Sequence, residues 1–277
     1  MAEVGYSVGR NVNLEYRNAE RDDDRLRELA ADFVRRKVAV IVTTSGGATL
    51  AAKAATPTIP IVFIMGGDPV EQGVVASLNR PGGNLTGVSV LGAEVAAKRL
   101  ELLHELVPKA ESVAALLSAS PTDSDYARAE TRGFQSAALA LGLRLQLITA
   151  VTESDIAGAF ANAVRQHVGA LIVGADRPFN SVQAQIISLS NRYSLPTLFF
   201  RRGAVADGAL ASYGTDGSEA LRRAGVYTGR ILKGDRPTDL PVQRTTKFEL
   251  VINLKTAKAL GVNVSQDMLS IADEVIE

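Results

Sequence analysis

The sequence is short of residues on which much protein chemistry depends. It has no cysteine, which excludes disulfide bonds, cysteine-ligated zinc and thiol nucleophiles. It has only two histidines, His104 and His167, so a histidine-based triad or metal site has little to be built from. Tryptophan is absent and aromatic residues make up 5% of the chain, so no stacking platform for a ligand stands out. We interpret both histidines as structural, and we predict neither a metal nor a cofactor.

Two further absences bear on the partners of the protein. The formal net charge at pH 7 is zero, so no excess of positive charge attracts nucleic acid or an anionic membrane. No apolar run approaches the ~18 residues of a membrane-spanning helix, and no basic-then-apolar leader opens the sequence. We therefore expect no nucleic-acid partner, and no signal peptide in the sequence as given.

What the chain does have is a regular alternation of short β-branched runs with helical patterns. Between Glu94 and Leu106, for example, apolar residues recur three and four positions apart until Pro108 ends the pattern. Such alternation predicts right-handed βαβ units with a mostly parallel sheet, the α/β class. The predicted strands are Asn11–Tyr16, Val38–Thr43, Ile61–Ile64, Leu85–Val90, Ser112–Leu117, Arg144–Thr149, Ala170–Val173, Thr197–Phe200 and Leu210–Tyr213.

The order of these patterns indicates more than one compact part. A length of 277 residues suits one large domain or two of ordinary size. The segment Pro108–Ser112 separates two sets of strand–helix patterns, and it contains no flexible Gly/Ser tract. We therefore predict two doubly wound lobes that are joined by short crossovers.

The loops after the predicted strands are candidate ligand sites, because open α/β sheets bind ligands outside the carboxyl ends of their strands. The first such loop is Thr44-Ser45-Gly46-Gly47-Ala48, and a helical pattern follows it. The N–H groups at the start of that helix would favour an anion, but Ser45 could equally be an N-cap and the glycines a turn. The spacing matches neither G-x-G-x-x-G nor a Walker A motif, so no dinucleotide is indicated.

Two more candidates lie in the same half of the chain. Gly66-Gly67-Asp68-Pro69 follows an apolar strand. Asp68 could accept a hydrogen bond from a ligand, or it could cap a helix that begins at Pro69. Thr86 lies within the strand Leu85–Val90, and strand alternation leaves open which face of the sheet it lines.

In the second set of strand–helix patterns, after Pro108–Ser112, the candidates are Ser120, Asp176, Arg201 and Tyr213. Asp176 follows a predicted buried strand and is either a ligand carboxylate, a helix cap or a partner for Arg177. No Ser–His–Asp order, pair of catalytic carboxylates or metal-ligand cluster stands out. The residues therefore favour recognition of a small polar ligand over covalent chemistry, with an enzyme acting on a phosphorylated or carboxylated metabolite as the alternative.

Long stretches of the chain are specific enough to compare with a known family. They are DPVEQGVVASLNRPGGNLTGVSVLGAEVAAKRLELLHELVP, GALASYGTD, GRILKGDRPTDLPVQRTTKFELVINLKTAKALGVNVS and ADEVIE. Over essentially its whole length, the chain resembles the ABC-transporter substrate-binding proteins of the tryptophan/tyrosine-type group. The resemblance implies a type I periplasmic-binding-protein fold, with a ligand held in a cleft between two lobes that close about a hinge. It implies a periplasmic protein, not an enzyme, that delivers an amino acid or aromatic acid to a membrane permease driven by a separate ATPase.

The resemblance also implies which residues line the cleft. The loop Thr44–Ala48 and the turn Gly66–Asp68 would lie on the side of the first lobe. Ser120 and Asp176 would face them from the second lobe, with Tyr213 near a crossover. The carboxylate of an amino acid would fit the helix start after Ser45, and Asp176 would bind its ammonium group.

The division into lobes follows from the same resemblance. Three crossovers would assign residues 1–110 and about 215–240 to the first lobe, and residues 111–214 and about 241–277 to the second. Family members begin with a leader, a strand and a helix that ends in the equivalent of GYSVGRNV, whereas this sequence begins at the end of that helix. We therefore expect the first lobe to lack its first strand and helix, which would expose two strand edges. We expect a monomer, with a strand-exchanged dimer as the alternative that would supply a strand.

Overall fold

The computed structural model describes residues 1–19, 22–90, 92–118, 124–150, 152–175, 178–215, 217–245 and 247–277. Its helices are α1 (Asp23–Arg35), α2 (Gly46–Ala55), α3 (Gly92–Leu106), α4 (Ser124–Leu141), α5 (Glu153–Arg165), α6 (Pro178–Ser181), α7 (Gln183–Arg192), α8 (Arg202–Ala206), α9 (Gly217–Leu232), α10 (Leu254–Ala259) and α11 (Gln266–Ile271). Its strands are β1 (Ile41–Thr43), β2 (Ile61–Gly66), β3 (Leu85–Val90), β4 (Ser112–Leu117), β5 (Arg144–Thr149), β6 (Ala170–Val173), β7 (Thr197–Phe199), β8 (Ala211–Thr215), β9 (Gln243–Arg244), β10 (Phe248–Asn253) and β11 (Glu274–Ile276). Among the helices of these ranges, none combines the length and the apolar character that a membrane crossing requires.

The chain divides into two compact units, and each unit is made of two chain segments. Unit 1 comprises Met1–Leu91 and Gly217–Thr246, and unit 2 comprises Gly92–Asp216 and Lys247–Glu277. The chain therefore passes from one unit to the other three times. The first passage lies before α3, whereas the sequence analysis places it at residue 110. The physical reason is that α3 buries its apolar face, including Leu100, in a core of unit 2.

Unit 1 is built on a four-stranded parallel sheet in the order β1-β2-β3-β9. The central strand β2 is apolar on both faces, as expected of a parallel strand that is covered on both sides. On one face Phe63 packs with Ala52 of α2, and on the other Val62 packs with Ala224 and Tyr227 of α9. Helices thus cover both faces of the sheet.

Unit 2 contains a seven-stranded sheet in the order β11-β10-β8-β7-β6-β4-β5. Strand β10 runs antiparallel to β8, and the other neighbouring strands are parallel. Along β4, Val113 and Ala115 face a core that includes Phe134 of α4. Leu116 faces a second core, which includes Phe160 of α5. This two-sided burial explains why β4 reads as a continuous apolar run.

The α/β class and most of the predicted strands are confirmed. The predicted and observed bounds agree for β3, β4, β5 and β6, and the bounds of β1, β2, β7 and β8 differ by one to three residues at an end. The sheets are mostly parallel, as predicted, with β10 as the antiparallel member of the described residues. The short strands β9 and β11 and the strand β10 have no counterpart in the prediction.

The predicted strand Asn11–Tyr16 is wrong. The segment makes an isolated bridge between Val8 and Val12, and the side chain of Tyr16 is 82% exposed. Alternating β-branched and aromatic residues form a strand only where a neighbouring strand supplies backbone partners. None of the strands in the described part of the chain lies beside this segment.

Candidate functional site

In unit 1, the loops that follow β1 and β2 lie at the same edge of the sheet, because parallel strands end on the same side. The first loop is Thr44–Ser45, which leads into the first turn of α2 at Gly46–Ala48, and the second loop carries Gly67–Gly73. Strand β9 ends there too, at Arg244. The structure therefore brings the predicted loops of unit 1 together, at the edge where α/β sheets bind ligands.

Ser45 is the N-cap of α2. Its backbone is extended, and its Oγ accepts a hydrogen bond from the backbone N of Ala48 at 3.3 Å. The carbonyl of Ser45 accepts from Thr49 Oγ1 at 2.7 Å, and that hydroxyl contacts Thr43 Oγ1 at 2.9 Å in a buried position. The N-cap interpretation is therefore confirmed, and the two threonines fasten the start of α2 to the end of β1. The N–H groups at the start of a helix have no acceptor within the helix and carry partial positive charge, so the first turn of α2 favours a negative group.

Asp68 also caps the backbone, but it caps a turn and not the helix that the sequence suggests. Its Oδ1 accepts from the backbone N of Val70 at 2.7 Å and of Glu71 at 3.3 Å. Its Oδ2 lies 3.6 Å from Nη2 of Arg244 at the end of β9. The preceding Gly67 has a φ of 86°, a conformation that favours glycine. One carboxylate oxygen of Asp68 thus holds the turn, and the other faces the strand-end edge beside a cation.

The side chain of Gln72 also lies beside these loops, and no sequence pattern indicates it. Its side-chain Oε1 would lie 3.4 Å from a Cβ atom placed on Gly46, and its Nε2 only 2.6 Å from one placed on Gly67. The amide of Gln72 therefore lies between the loops after β1 and β2. Among the residues that the structure describes, none forms a hydrogen bond with this amide. In the sequence, a single glutamine in a polar turn does not indicate a binding residue. The glycines at positions 46 and 67 are the one available signal, because they leave room for a side chain close to the backbone.

In unit 2, the parallel strands β4, β6, β7 and β8 end at one edge, and β10 begins there. β4 leads into Ser118, which is buried, and β6 leads into Gly174 and Ala175. β7 leads into Phe200 and Arg201, both half-buried. This edge is the counterpart in unit 2 of the edge described for unit 1.

Two consecutive side-chain hydrogen bonds hold Arg201 in place. Its Nε donates to Oε1 of Gln183 at 2.8 Å, and Nε2 of Gln183 donates to Oδ2 of Asp207 at 2.6 Å. Its guanidinium carbon lies 5.9 Å from the ring centroid of Phe200. These contacts fix the side chain of Arg201 through Nε.

Tyr213 lies in β8 close to the strand end. Its ring stacks on Phe248 of β10, with ring centroids 5.8 Å apart. Burial raises the pKa of Tyr213, so its phenol stays protonated at neutral pH. A protonated phenol can donate a hydrogen bond to a carboxylate or accept one from an ammonium group.

Three of the sequence candidates do not join these groups. Thr86 is near the amino end of β3, is fully buried, and donates its hydroxyl hydrogen to the carbonyl oxygen of Leu240 at 2.6 Å. Ser120 and Asp176 lie outside the described residues. We therefore leave Thr86 out of the proposed site and keep Asp176 as a prediction. Within the described ranges, no group of three or more histidine, aspartate or glutamate side chains could hold a metal ion.

Comparison with known proteins places the chain in a family. Residues 1–276 match the family described as ABC transporter substrate binding protein. A tyrosine-binding protein from Clostridioides difficile (strain R20291) is 30% identical over 269 residues, which are 94% of this chain and 74% of that protein.

Solved structures agree with this assignment. An ABC domain in complex with L-Trp from Streptococcus pneumonia has a TM-score of 0.85 and 26% identity, covering 99% of this chain and 91% of that one. A conserved domain protein from Vibrio cholerae has a TM-score of 0.86 and 28% identity, covering 99% of this chain and 90% of that one. The type I periplasmic-binding-protein fold is confirmed, and the enzyme alternative finds no support. The chain belongs to the family of ABC transporter substrate-binding proteins.

Proposed function

We propose that this substrate-binding protein takes up an aromatic amino acid for an ABC importer. The observation that carries the proposal is the agreement of two relatives: a tyrosine-binding protein that is 30% identical, and a structure with a TM-score of 0.85 that holds L-Trp. Substrate-binding proteins bind small molecules and work with the permeases of ABC transporters. The protein binds its ligand and releases it unchanged, so no residue has to act as an acid, base or nucleophile.

In unit 1, the proposed contacts are suited to the carboxylate of an amino acid. The first-turn N–H groups of α2, beside the cap Ser45, favour a negative group. The amide of Gln72 lies between the two loops and offers both a donor and an acceptor. Asp68 is paired with Arg244, so this cation offsets the carboxylate that would otherwise repel the ligand.

In unit 2, the proposed contacts are suited to the rest of an aromatic amino acid. Phe200 presents a half-buried ring at the strand-end edge, and Tyr213 adds a second ring with a protonated hydroxyl. Aromatic rings prefer such partners in offset or edge-on arrangements. Asp176, which follows Ala175 in the sequence, is the proposed partner of the ligand ammonium group. An aromatic acid without an amino group is the second candidate ligand, since it would need the first set of contacts but not this carboxylate.

The family also supports a location for this activity. ABC substrate-binding proteins usually act outside the cytoplasm, and the periplasm is the compartment that we propose for this one. The partner is then the permease of an importer, and the protein presents the ligand to it from outside the inner membrane.

Calorimetry with a panel of ligands tests the proposal. We expect saturable binding of L-Tyr, L-Trp or L-Phe, and none of leucine or glutamate at the same concentration. A ligand at a hundred times its Kd should also stabilise the protein by about 2.7 kcal/mol in thermal unfolding. The recovered ligand should be unchanged by mass spectrometry.

The aromatic acids indole-3-acetate and 3-phenylpropanoate separate the two candidate ligands. If they bind and the amino acids do not, the amino-acid proposal is wrong. Asp176→Ala sharpens the comparison, because it should weaken binding of the amino acid by about 1–3 kcal/mol and leave an acid without an amine unaffected. Absence of binding by the whole panel would contradict the proposed ligand class.

A further inference from the structure

Unit 2 contains a buried ion pair that the proposed function does not explain. Arg99 of α3 and Glu130 of α4 are both fully buried, and Nη2 of Arg99 contacts Oε1 of Glu130 directly. The guanidinium carbon of Arg99 lies 5.2 Å from the ring centroid of Phe134. Burying two charges has a large desolvation cost, and well-packed apolar residues of similar size often hold helices together as well or better. Packing of α3 on α4 alone therefore does not account for the pair.

The pair reaches beyond the two helices to the strand-end loop of β6. Both carboxylate oxygens of Glu130 accept from the backbone N of Ala175, at 2.9 and 3.1 Å. Nη1 of Arg99 donates to the carbonyl oxygen of Val173 at 2.9 Å. The pair thus holds the backbone on both sides of Gly174 through three hydrogen bonds.

Gly174, between these two residues, is also constrained. Its backbone N donates to the carbonyl oxygen of Leu116 at 2.8 Å. A Cβ atom at Gly174 would lie 3.0 Å from Oε2 of Glu130, so the close approach of the carboxylate depends on the glycine. The end of β6 is therefore fixed against β4 on one side and against the ion pair on the other.

We infer that Arg99 and Glu130 are positioning residues for ligand binding, which hold the backbone at the end of β6, up to Ala175, without touching the ligand. The inference rests on the proposed function, because Ala175 directly precedes Asp176, the proposed partner of the ligand ammonium group. A charged acceptor inside the protein binds a backbone N–H more strongly than a neutral acceptor does. The contact with Arg99 also fixes the direction of the Glu130 carboxylate. This explains why the charges are retained at a position where apolar residues would pack.

The double variant R99M/E130M tests the inference, since it removes both charges together and leaves apolar side chains of similar length. We expect the variant to fold, with a cooperative thermal transition. We expect at least a tenfold weaker affinity for the aromatic amino acid that the wild type binds. We also expect faster hydrogen exchange at the amide of Ala175, relative to the amide of Leu171, whose partner is the carbonyl of Pro196 at 2.8 Å. The matched control is R202M/E274M, which removes an exposed ion pair of the same unit and should change neither quantity.

A conservative variant separates positioning from packing. In R99M/E130Q, the glutamine keeps an oxygen that can accept from the N–H of Ala175, so exchange protection and affinity should recover in part. If R99M/E130M does not fold, R99K replaces it, because a lysine keeps the charge but lacks the planar fork that reaches Glu130 and Val173 together. Wild-type exchange at Ala175, or wild-type affinity, in a folded R99M/E130M variant would overturn the inference. Wild-type affinity in R99K, which leaves the bond from Ala175 to Glu130 in place, would overturn it too.

The exchange measurement needs no ligand, so the two proposals can fail separately. If the wild type binds none of the panel, the proposed function is wrong, and exchange at Ala175 alone decides whether the pair fixes the loop. If the wild type binds and the variant binds equally well, the positioning role is wrong and the proposed function stands.

Discussion

The backbone carbonyl oxygen of Phe200 lies against Gly214, in the place that a Cβ atom on that residue would occupy. The two residues are at the ends of the neighbouring strands β7 and β8. Gly214→Ala should therefore push the strands apart where the proposed ligand contacts begin, and we expect a loss of stability of about 1–3 kcal/mol. Thermal or denaturant unfolding measures it.

Gly203→Ala is the matched control for this prediction. Gly203 is in α8 of the same unit, and no heavy atom lies within 4 Å of a Cβ atom built there. An alanine at a helical position without a clash should be neutral or stabilise by about 0.5–1 kcal/mol. If the two substitutions change the free energy of unfolding equally, the close approach of Phe200 to Gly214 does not affect stability.

Ser45 has two roles to separate, since it caps α2 and is a proposed ligand contact. Ser45→Ala should lower stability by about 0.5–2 kcal/mol through loss of the cap, whereas Ser45→Gly should change it by only a few tenths. If the hydroxyl also binds the ligand, both variants should lose about 1–3 kcal/mol of binding free energy in calorimetry. Binding by Ser45→Gly at wild-type affinity would leave the cap as the sole role of this hydroxyl.

Gln72 should contribute to affinity and little to stability. Its amide lies between Gly46 and Gly67, and none of the described residues forms a hydrogen bond with it. Gln72→Ala should weaken ligand binding by about 1–3 kcal/mol, with a melting temperature close to that of the wild type. The exposed neighbour Glu71 supplies the control, because Glu71→Ala should change neither property. Wild-type affinity in Gln72→Ala would remove this residue from the site.

Three of the four strands whose bounds the sequence predicts correctly, β3, β4 and β6, lie inside sheets and are buried on both faces. The fourth, β5, is at the end of its sheet and is partly exposed. Asn11–Tyr16 alternates polar and apolar residues as a strand can, but no described strand pairs with it, and pairing cannot be read from the segment itself. β9 escapes the prediction because it is only Gln243–Arg244, two polar residues that pair with β3.

The candidate site was predictable only where a residue follows a strand directly. Ser45 and Asp68 follow β1 and β2, and parallel strands bring their carboxyl ends to one edge, so their places could be expected. Gln72 lies beside Gly46 of another element, and Arg99 and Glu130 contact backbone that is distant in the sequence. Neither periodicity nor spacing contains that information.

The role of Thr86 could not be predicted from the sequence either, and its contact in the structure leads to a further prediction. Strand alternation gives the face on which a side chain lies but not its partner, and here the buried hydroxyl donates to the carbonyl oxygen of Leu240. Thr86→Val keeps the shape and leaves that carbonyl without its donor, so stability should fall by about 1–3 kcal/mol while ligand affinity stays unchanged. Thr86→Ser keeps the hydroxyl and should retain more of the stability. A large loss of affinity in a folded Thr86→Val variant would return this residue to the site.

The start of α9 should make the stability of the protein depend on pH. Glu219 lies in the first turn of α9, and its carboxylate accepts from Nε of Arg222 and of Arg223, each at 2.6 Å. Hydrogen bonds from these two arginines lower the pKa of Glu219 from 4.5 to about 2. Because the pKa is lower in the folded state, the ionised carboxylate stabilises the fold above pH 4.5, and this contribution is lost as the pH falls towards 2.

The comparison of wild type with Glu219→Gln isolates this effect from other carboxylates whose pKa is also lowered, such as Glu274. The wild type should have the higher melting temperature at neutral pH, by a modest amount because the group is near the surface. The difference should shrink through the window between 4.5 and about 2, and added salt should reduce it at neutral pH. A difference that is constant from neutral pH down to the bottom of this window would show that the arginine contacts of Glu219 do not contribute through its charge.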